Sequence, residues 1–166
     1  QSAARPSRPP TMSTRTTNQD IAAALQTIGD ILLIKGENRF RVLAYKEAAR
    51  VIRDNPQSIE ELALAGKATE LQGIGDTIQE KVVALSEQGE IPAAVKLKAK
   101  FPASLVELTR IPGVGAKTVR LIYDQTGIAT LEELGAAAEA GRLADIKGLG
   151  AKFEENVIKE LARMST

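Results

Sequence analysis

The 166-residue sequence contains no cysteine and no histidine. The missing cysteine excludes disulfides and thiolate metal sites, and the missing histidine excludes imidazole bases, His-ligated zinc and Ser-His-Asp triads. No Asp-x-Asp pair occurs either, so a two-metal phosphoryl-transfer site has no obvious ligands. Any chemistry must therefore come from Lys, Tyr, Glu or backbone groups.

Aromatic residues make up only 3% of the sequence and tryptophan is absent, whereas hydrophobic residues reach 43%. A core must then be built from Ala, Leu, Ile and Val, which favours helices packed on helices. The net charge is only +1, so a polyanion would have to be met by local patches or by backbone groups. No apolar run approaches the roughly 18 residues of a membrane span. We therefore expect a cytoplasmic monomer with no membrane partner.

The helical segments follow from apolar spacing and from capping residues. Residues 1–17, rich in Pro, Ser, Thr and Arg, predict a disordered tail. A helix is expected from Asn18 as its N-cap to Gly36 as its stop, and a second helix ends before Pro56. Two capping boxes are predicted, Ser58 with Glu61 and Thr130 with Glu133. No segment alternates as a strand does, so the predicted fold class is all-α, built as small helical bundles.

One pattern occurs three times: "LQGIGDTIQEKVVAL" at 71–85, "IPGVGAKTVRLIYDQ" at 111–125 and "IKGLGAKFEENVIKE" at 146–160. We call these segments hairpins 1, 2 and 3. The first glycines stand 40 and 35 positions apart, a period that indicates a repeated supersecondary unit. Each is preceded by a segment expected to be helical, at 59–65, 103–109 and 135–144. The pattern predicts a helix, a tight glycine turn and a second helix.

The two glycines of each hairpin have distinct expected roles. The first can adopt a positive φ and reverse the chain, and the second lets another backbone or a ligand approach closely. The helix that follows presents free N–H groups and the positive end of its dipole, which together suit a phosphate. Several such turns could hold a nucleic-acid backbone without reading its sequence. The candidate glycines are Gly73, Gly75, Gly113, Gly115, Gly148 and Gly150.

Other interpretations of the glycines are weaker. A dinucleotide fingerprint needs a preceding strand and a third glycine, and a Walker A loop needs a glycine where Ile111 stands. The glycines could also merely end and begin helices in a bundle. Their threefold recurrence in register favours phosphate binding. The expected phosphate ligands are Thr77 in hairpin 1 and the basic residues that follow the glycines of hairpins 2 and 3. These basic residues are Lys117, Arg120 and Lys152.

"IPGVGAKT" and "LQGIGDTIQEK" resemble helix-hairpin-helix DNA-binding motifs. Their order, with "GENRFRVLAYKEAARVI", resembles the N-terminal region of bacterial family X (polymerase-beta-like) DNA polymerases. The resemblance implies a lyase-like domain at 18–92 with hairpin 1, and a second helical subdomain at 93–166 with hairpins 2 and 3. It implies no required cofactor, but K⁺ or Na⁺ sites formed by backbone carbonyls. These carbonyls belong to Thr69, Leu71, Ile74, Thr109, Ile111 and Val114.

The resemblance also implies a lyase site. Lys81 matches a Schiff-base lysine and Glu80 a proton-transfer position, while a 5′-phosphate pocket would comprise Phe40, Arg41 and Tyr45. A lysine nucleophile must be neutral, which requires desolvation or neighbouring positive charge. Two expected pocket lysines are replaced, by Thr77 and Ala93. Lys81 could equally be an ordinary surface lysine, and Tyr45 a residue at the edge of the core.

The expected function is sequence-independent binding of DNA that is gapped, nicked or carries a 5′-phosphate, in the nucleoid. This sequence contains no polymerase or nuclease active site, so it should not polymerise. We expect either the N-terminal part of a parent chain that carries a polymerase domain, or a stand-alone relative. Two alternatives stay open. The first is a 5′-deoxyribose-phosphate or abasic-site lyase. The second is a protein-interaction scaffold, whose binding would be insensitive to bulky replacements at Gly113 and Gly115.

Overall fold

The computed structural model describes residues 16–165. Its helices are α1 (Asn18–Lys35), α2 (Arg39–Asp54), α3 (Ile59–Leu64), α4 (Asp76–Gln88), α5 (Pro92–Lys100), α6 (Ser104–Leu108), α7 (Ala116–Thr126), α8 (Leu131–Glu139) and α9 (Ala151–Met164). A short 3-10 turn, Ala68–Glu70, lies between α3 and α4. No strand occurs in the described part of the chain, and the all-α prediction is confirmed.

The chain divides into two compact units. The described part of unit 1 comprises residues 16–29 and 39–97, and that of unit 2 comprises residues 30–38 and 98–165. The boundary expected from the sequence was 92/93, and the grouping of the end of α1 with unit 2 was not expected. Hairpin 1 therefore lies in unit 1, and hairpins 2 and 3 lie in unit 2.

The start of α1 differs from the expectation. Thr17, not Asn18, is the N-cap, because its Oγ1 accepts a hydrogen bond from the Asp20 N–H at 3.1 Å. The Asn18 side chain instead donates to the carbonyls of Asn55 and Gln57, at 3.0 and 2.7 Å, and accepts from the Ile59 N–H. Asn18 thus joins α1 to the start of α3. The predicted tail, 1–17, lies outside the described residues except for its last two positions.

The helix before hairpin 3 also differs from the expectation of 135–144. It begins at Leu131, where Thr130 Oγ1 accepts from the Glu133 N–H at 3.1 Å, and it ends at Glu139. Gly141 stops it with a φ of +75°. The N–H groups of Gly141 and Arg142 then bond back to Ala138 and Ala137, the Schellman arrangement that closes a helix. At the predicted capping box of Ser58, the Ser58 Oγ accepts from the Glu61 N–H, which is the N-cap half of that motif.

The core of unit 1 packs α1 against α2. Tyr45 is only 3% exposed and belongs to this core, as one of its two sequence interpretations allowed. A Cβ on Gly29 would lie 3.1 Å from Lys46 Cγ and 3.3 Å from Tyr45 Cβ, so α1 approaches α2 more closely than a larger residue would permit. Buried aliphatic residues complete this core: Ile21, Leu25, Ile52, Ile59, Ile78 and Val82.

The core of unit 2 is aliphatic and includes the last turns of α1. Its fully buried members are Ile31, Ile34, Leu105, Leu108, Ile111, Ile122, Leu134 and Leu143. Arg120 on α7 ties the end of α1 to this unit, because one guanidinium nitrogen donates to the Lys35 carbonyl at 2.7 Å. The same side chain pairs with Asp124 at 2.8 Å and stacks over the ring of Phe101 at 4.9 Å.

Candidate nucleic-acid interface

The three hairpins share one turn. The first and fourth residues are joined by a backbone hydrogen bond, from Ile74 to Leu71 at 3.1 Å, from Val114 to Ile111 at 2.9 Å and from Leu149 to Ile146 at 3.0 Å. The third residue of each turn is a glycine with φ of +97°, +89° or +96°. This is a type II turn, which requires a positive φ at that position. The expected role of the first glycines is confirmed.

Burial separates the two kinds of residue within each turn. The apolar residues face the core, with Ile74, Ile111, Val114 and Ile146 at most 5% exposed. All six glycines are exposed. The apolar residues therefore fix each turn to the body of its unit, and the glycine backbone is left accessible from outside.

The fold does not require a glycine at the second glycine position of each hairpin. Gly75, Gly115 and Gly150 have negative φ values and extended ψ values, which any residue can adopt. A Cβ built on any of them meets nothing within 4 Å. The first glycines differ, since a Cβ on Gly113 would lie 2.9 Å from Asn156 and one on Gly73 would lie 3.1 Å from Val51. The absence of a side chain at the second glycines therefore leaves space on the solvent side, where a ligand could approach the backbone.

The helices that follow the hairpins begin without a side-chain cap. Gly75, Gly115 and Gly150 are the N-caps of α4, α7 and α9, and none supplies a capping bond. The next three backbone N–H groups of each helix have no acceptor within the described residues. Thr17, Ser58 and Thr130, in contrast, cap α1, α3 and α8 with their hydroxyls. Among these six helices, only the three that follow the hairpins lack an acceptor for all three of these amides.

Hairpin 2 carries the most favourable charges for an anion. The first turn of α7 has no acidic residue, and Lys117 is exposed without an ion-pair partner in the described structure. Arg120, predicted as a phosphate ligand, is already bonded to Lys35 and Asp124 inside unit 2. Its side chain is 37% exposed, so part of the guanidinium still faces solvent.

Hairpins 1 and 3 are flanked by carboxylates. In hairpin 1, Asp76 opens α4, and the predicted contact Thr77 is exposed beside it. Glu47 lies close by, with its Cγ 3.7 Å from the Cβ position of Gly73. Hydrogen bonds from the Arg50 guanidinium lower the pKa of Glu47, so this carboxyl group stays ionised. In hairpin 3, Lys152 is exposed, and Glu154 follows it on the same helix.

In hairpins 1 and 3, the side chain of the fourth helical residue accepts hydrogen bonds from the segment that leads into the turn. In hairpin 1, Gln79 Oε1 accepts from the Thr69 N–H at 3.2 Å. In hairpin 3, Glu154 Oε2 accepts from the N–H groups of Leu143 and Ala144, at 3.0 and 3.1 Å. Hairpin 2 has Val119 at this position, which cannot accept a hydrogen bond. Sequence alone did not reveal these side-chain contacts, because they depend on how each segment folds back.

Lys81 lines a groove of about 400 Å³ formed by α4 and the start of α5. Glu80, Ala93 and Lys96 line it as well. Lys81 is half-buried, and neither lysine has an ion-pair partner in the described part of the chain. The sequence interpretation did not single out Lys96, although it stands one helical turn beyond Ala93, where the resemblance implied a lysine.

The residues of the implied 5′-phosphate pocket lie in different environments. Phe40 is 79% exposed at the start of α2, and Arg41 beside it is exposed. Tyr45, one turn later, is buried in the core of unit 1. The structure brings Phe40 and Arg41 to the surface of α2 but does not bring the Tyr45 ring there.

The six carbonyls implied for cations belong to the hairpin turns and to the residues just before them. The carbonyls of Leu71 and Ile111 each accept the turn's hydrogen bond, which leaves one lone pair free. Among the described residues, no group of His, Cys, Asp and Glu side chains could hold a metal ion. None of the helices described here has the length and apolar character needed to cross a membrane.

Comparison with protein families finds helix-hairpin-helix models over the segments that contain these turns. Residues 16–91 match the model of a helix-hairpin-helix domain, and residues 105–163 match that of a SAM-like helix-hairpin-helix tandem. Two separate stretches of the chain are thus similar to helix-hairpin-helix domains. The first match covers hairpin 1, and the tandem covers hairpins 2 and 3. The repeats seen in the sequence thus coincide with the stretches that the helix-hairpin-helix models match.

The chain is 29% identical to the DNA polymerase/3′-5′ exonuclease PolX of Bacillus subtilis (strain 168) over 143 residues, or 86% of this chain. The predicted resemblance to the N-terminal region of a family X polymerase is confirmed. The chain spans only 25% of that polymerase. A shorter stretch of 65 residues is 38% identical to the Holliday junction branch migration complex subunit RuvA of Leptothrix cholodnii, covering 39% of this chain and 34% of that subunit.

Proposed function

We propose that this protein binds DNA without regard to sequence, by offering backbone amides of its glycine turns to the phosphates. The observation that carries the proposal is the run of uncapped N–H groups beside three exposed glycines that nothing in the fold requires. Amides at a helix N-terminus bind phosphate through hydrogen bonds and the helix dipole. The kinship with a DNA polymerase and with RuvA supports DNA as the partner.

The preferred ligand is gapped or nicked DNA with a 5′-phosphate, bound by a monomer in the nucleoid, with a polymerase domain in the parent chain. Hairpin 2 is the strongest contact, because Lys117 adds a cation and no acid stands in the first turn of its helix. Hairpin 1 is weaker, since Asp76 and Glu47 oppose a phosphate there. Hairpin 3 is intermediate, with Lys147 and Lys152 against Glu154.

Monovalent cations assist hairpins 1 and 2 in this proposal. The neutral carbonyl oxygens of Leu71 and Ile111 suit a hard cation such as K⁺ or Na⁺, and each keeps a free lone pair. Thr69, Ile74, Thr109 and Val114 would supply the remaining carbonyls. A bound cation would add positive charge next to the phosphate.

The test is the salt dependence of binding to a labelled gapped duplex. Binding through phosphates releases counterions, so the logarithm of the association constant should fall steeply as salt rises from about 50 to 200 mM. Lys117→Ala should reduce that slope by about one and weaken binding equally on different sequences. Lys98→Ala, an exposed lysine outside the hairpins, is the matched control and should leave the slope unchanged. An affinity that is constant across this salt range would contradict the proposal.

A lyase activity is the second candidate, favoured by the groove that holds Lys81 beside Lys96. In this reaction the Lys81 Nζ would attack C1′ of an abasic deoxyribose and expel water as the imine forms, while Glu80 moves a proton. Borohydride would reduce the imine and cross-link the protein to DNA. Lys81→Ala should abolish the cross-link, and Lys96→Ala should retain it. A cross-link unchanged in Lys81→Ala would exclude this lysine as the nucleophile.

A further inference from the structure

Hairpins 2 and 3 contact each other reciprocally. Gly113 and Gly148 are equivalent positions 35 residues apart, and so are Leu121 and Asn156. The Cβ position of Gly113 lies 2.9 Å from Asn156 Nδ2, and that of Gly148 lies 3.6 Å from Leu121 Cδ2. Each turn therefore packs against the same position of the other hairpin's helix. Such an exchange of contacts is the signature of a two-fold relation, here within one chain.

The two contacts differ in chemistry. Asn156 Nδ2 donates a hydrogen bond of 2.8 Å to the carbonyl of Pro112, the second residue of turn 2. Because a carbonyl only accepts, the amide nitrogen of Asn156 must be the atom that faces it. Leu121 has no donor, so it cannot make the equivalent hydrogen bond to the Lys147 carbonyl, the corresponding carbonyl of turn 3.

This hydrogen bond acts on the peptide unit that distinguishes one turn type from another. Type I and type II turns differ by the orientation of their central peptide, here Pro112–Gly113. The peptide is planar and trans, so its C=O and N–H point in opposite directions. A carbonyl held toward Asn156 thus turns the Gly113 N–H away from α9. Gly113 is exposed, and its amide has no acceptor in the described structure.

We propose that Asn156 is a positioning residue that locks the Pro112–Gly113 peptide, and that this makes hairpin 2 a preorganised phosphate site and its partner hairpin 3 an adaptable one. This inference rests on the proposed DNA binding. It adds that hairpins 2 and 3, although related, differ in how firmly the turn peptide is held. A preorganised donor binds more tightly, because only the competent orientation contributes to the apparent affinity. Asn156 itself makes no contact with the ligand in this scheme.

A pair of substitutions exchanges the two environments. Asn156→Leu gives turn 2 the neighbour that turn 3 has now, at similar side-chain volume. Leu121→Asn offers turn 3 the donor that turn 2 has now. We expect Asn156→Leu to weaken binding to the gapped duplex about 3- to 10-fold, as fits the loss of one hydrogen bond and a mixed turn population. The salt slope should stay unchanged, since no phosphate contact is removed.

Relaxation dispersion of the Gly113 amide provides a readout that does not need DNA. The parent chain should show a flat profile at Gly113, and Asn156→Leu should introduce exchange on the μs–ms timescale. Leu121→Asn should reduce exchange at Gly148 without weakening binding. Melting temperatures of the variants confirm that each is folded.

The proposal is overturned if folded Asn156→Leu binds as the parent does with a flat Gly113 profile. It is also overturned if the salt slope falls by about one, because Asn156 would then be a direct phosphate ligand. If the parent chain itself fails to bind the duplex, the proposed function fails. The Gly113 profile would still decide whether Asn156 holds the turn.

Discussion

Replacing Gly115 by serine should raise the stability of this protein and lower its affinity for DNA. Gly115 has φ −100° and ψ −179°, the extended backbone of an N-cap, and a Cβ there meets nothing within 4 Å. A serine hydroxyl can therefore cap α7, as Ser58 and Thr130 cap α3 and α8. Better capping and a less flexible unfolded chain together should raise the free energy of unfolding by about 1 kcal/mol. That corresponds to a melting temperature about 2–5 °C higher.

The same serine should interfere with the phosphate. Its hydroxyl would occupy an α7 amide, and its Cβ would fill the space through which a ligand approaches Gly115. The loss of one charge-assisted hydrogen bond, about 1.5–3 kcal/mol, predicts roughly 10- to 100-fold weaker binding. Gly115→Ala is the control. It fills the same space but is a poor N-cap, so it should weaken binding without raising stability.

Two measurements decide the matter: urea unfolding followed by circular dichroism, and fluorescence anisotropy with a gapped duplex. A serine variant that is more stable and binds DNA as tightly as the parent would refute the reasoning, because the glycine would then serve no close approach. A serine variant that is less stable would mean that the serine hydroxyl does not cap α7.

Three further predictions concern the surroundings of the hairpins. Arg120→Met should lower the free energy of unfolding by about 1–2 kcal/mol in urea titrations, because it removes the bond to the α1 carbonyl and the cation over an aromatic ring. Gly113→Ala should cost about 2 kcal/mol in the same assay, since φ is +89° and the added methyl group would meet a side chain at 2.9 Å. The Glu47 carboxyl should titrate below its ordinary range by NMR, and Arg50→Met should raise its pKa. Because the folded-state pKa is depressed, the stability it contributes is present above the unfolded-state pKa and is lost as the pH falls through the folded-state pKa.

The sequence predicted those features that depend on neighbouring residues. Turn chemistry at Gly113 and capping at Ser58 and Thr130 involve residues within four positions of each other, and they occur as expected. The ends of the first two helices at Gly36 and before Pro56 follow for the same reason.

The features that the sequence did not predict depend on distant partners. Asn18 is recruited by residues 37 to 41 positions away, so Thr17 caps α1 instead. Arg120 is held by a carbonyl 85 positions away, and Asn156 by one 44 positions away. The burial of Tyr45 likewise depends on packing between helices. No local pattern encodes these contacts. Three of the residues, Tyr45, Arg120 and Asn156, belong to the candidate interface or contact it.

The hairpins also differ in how much chain separates the preceding helix from the turn. Residues 65–70 and 140–145 precede turns 1 and 3, and Gln79 and Glu154 fasten those segments. Only residues 109 and 110 separate α6 from turn 2. Insertions are tolerated where an exposed segment can absorb them. An additional residue should therefore be accommodated among the exposed residues 140–142, before the buried Leu143. At 109–110 it would rotate the turn relative to α6 and pull Ile111 out of register with the core.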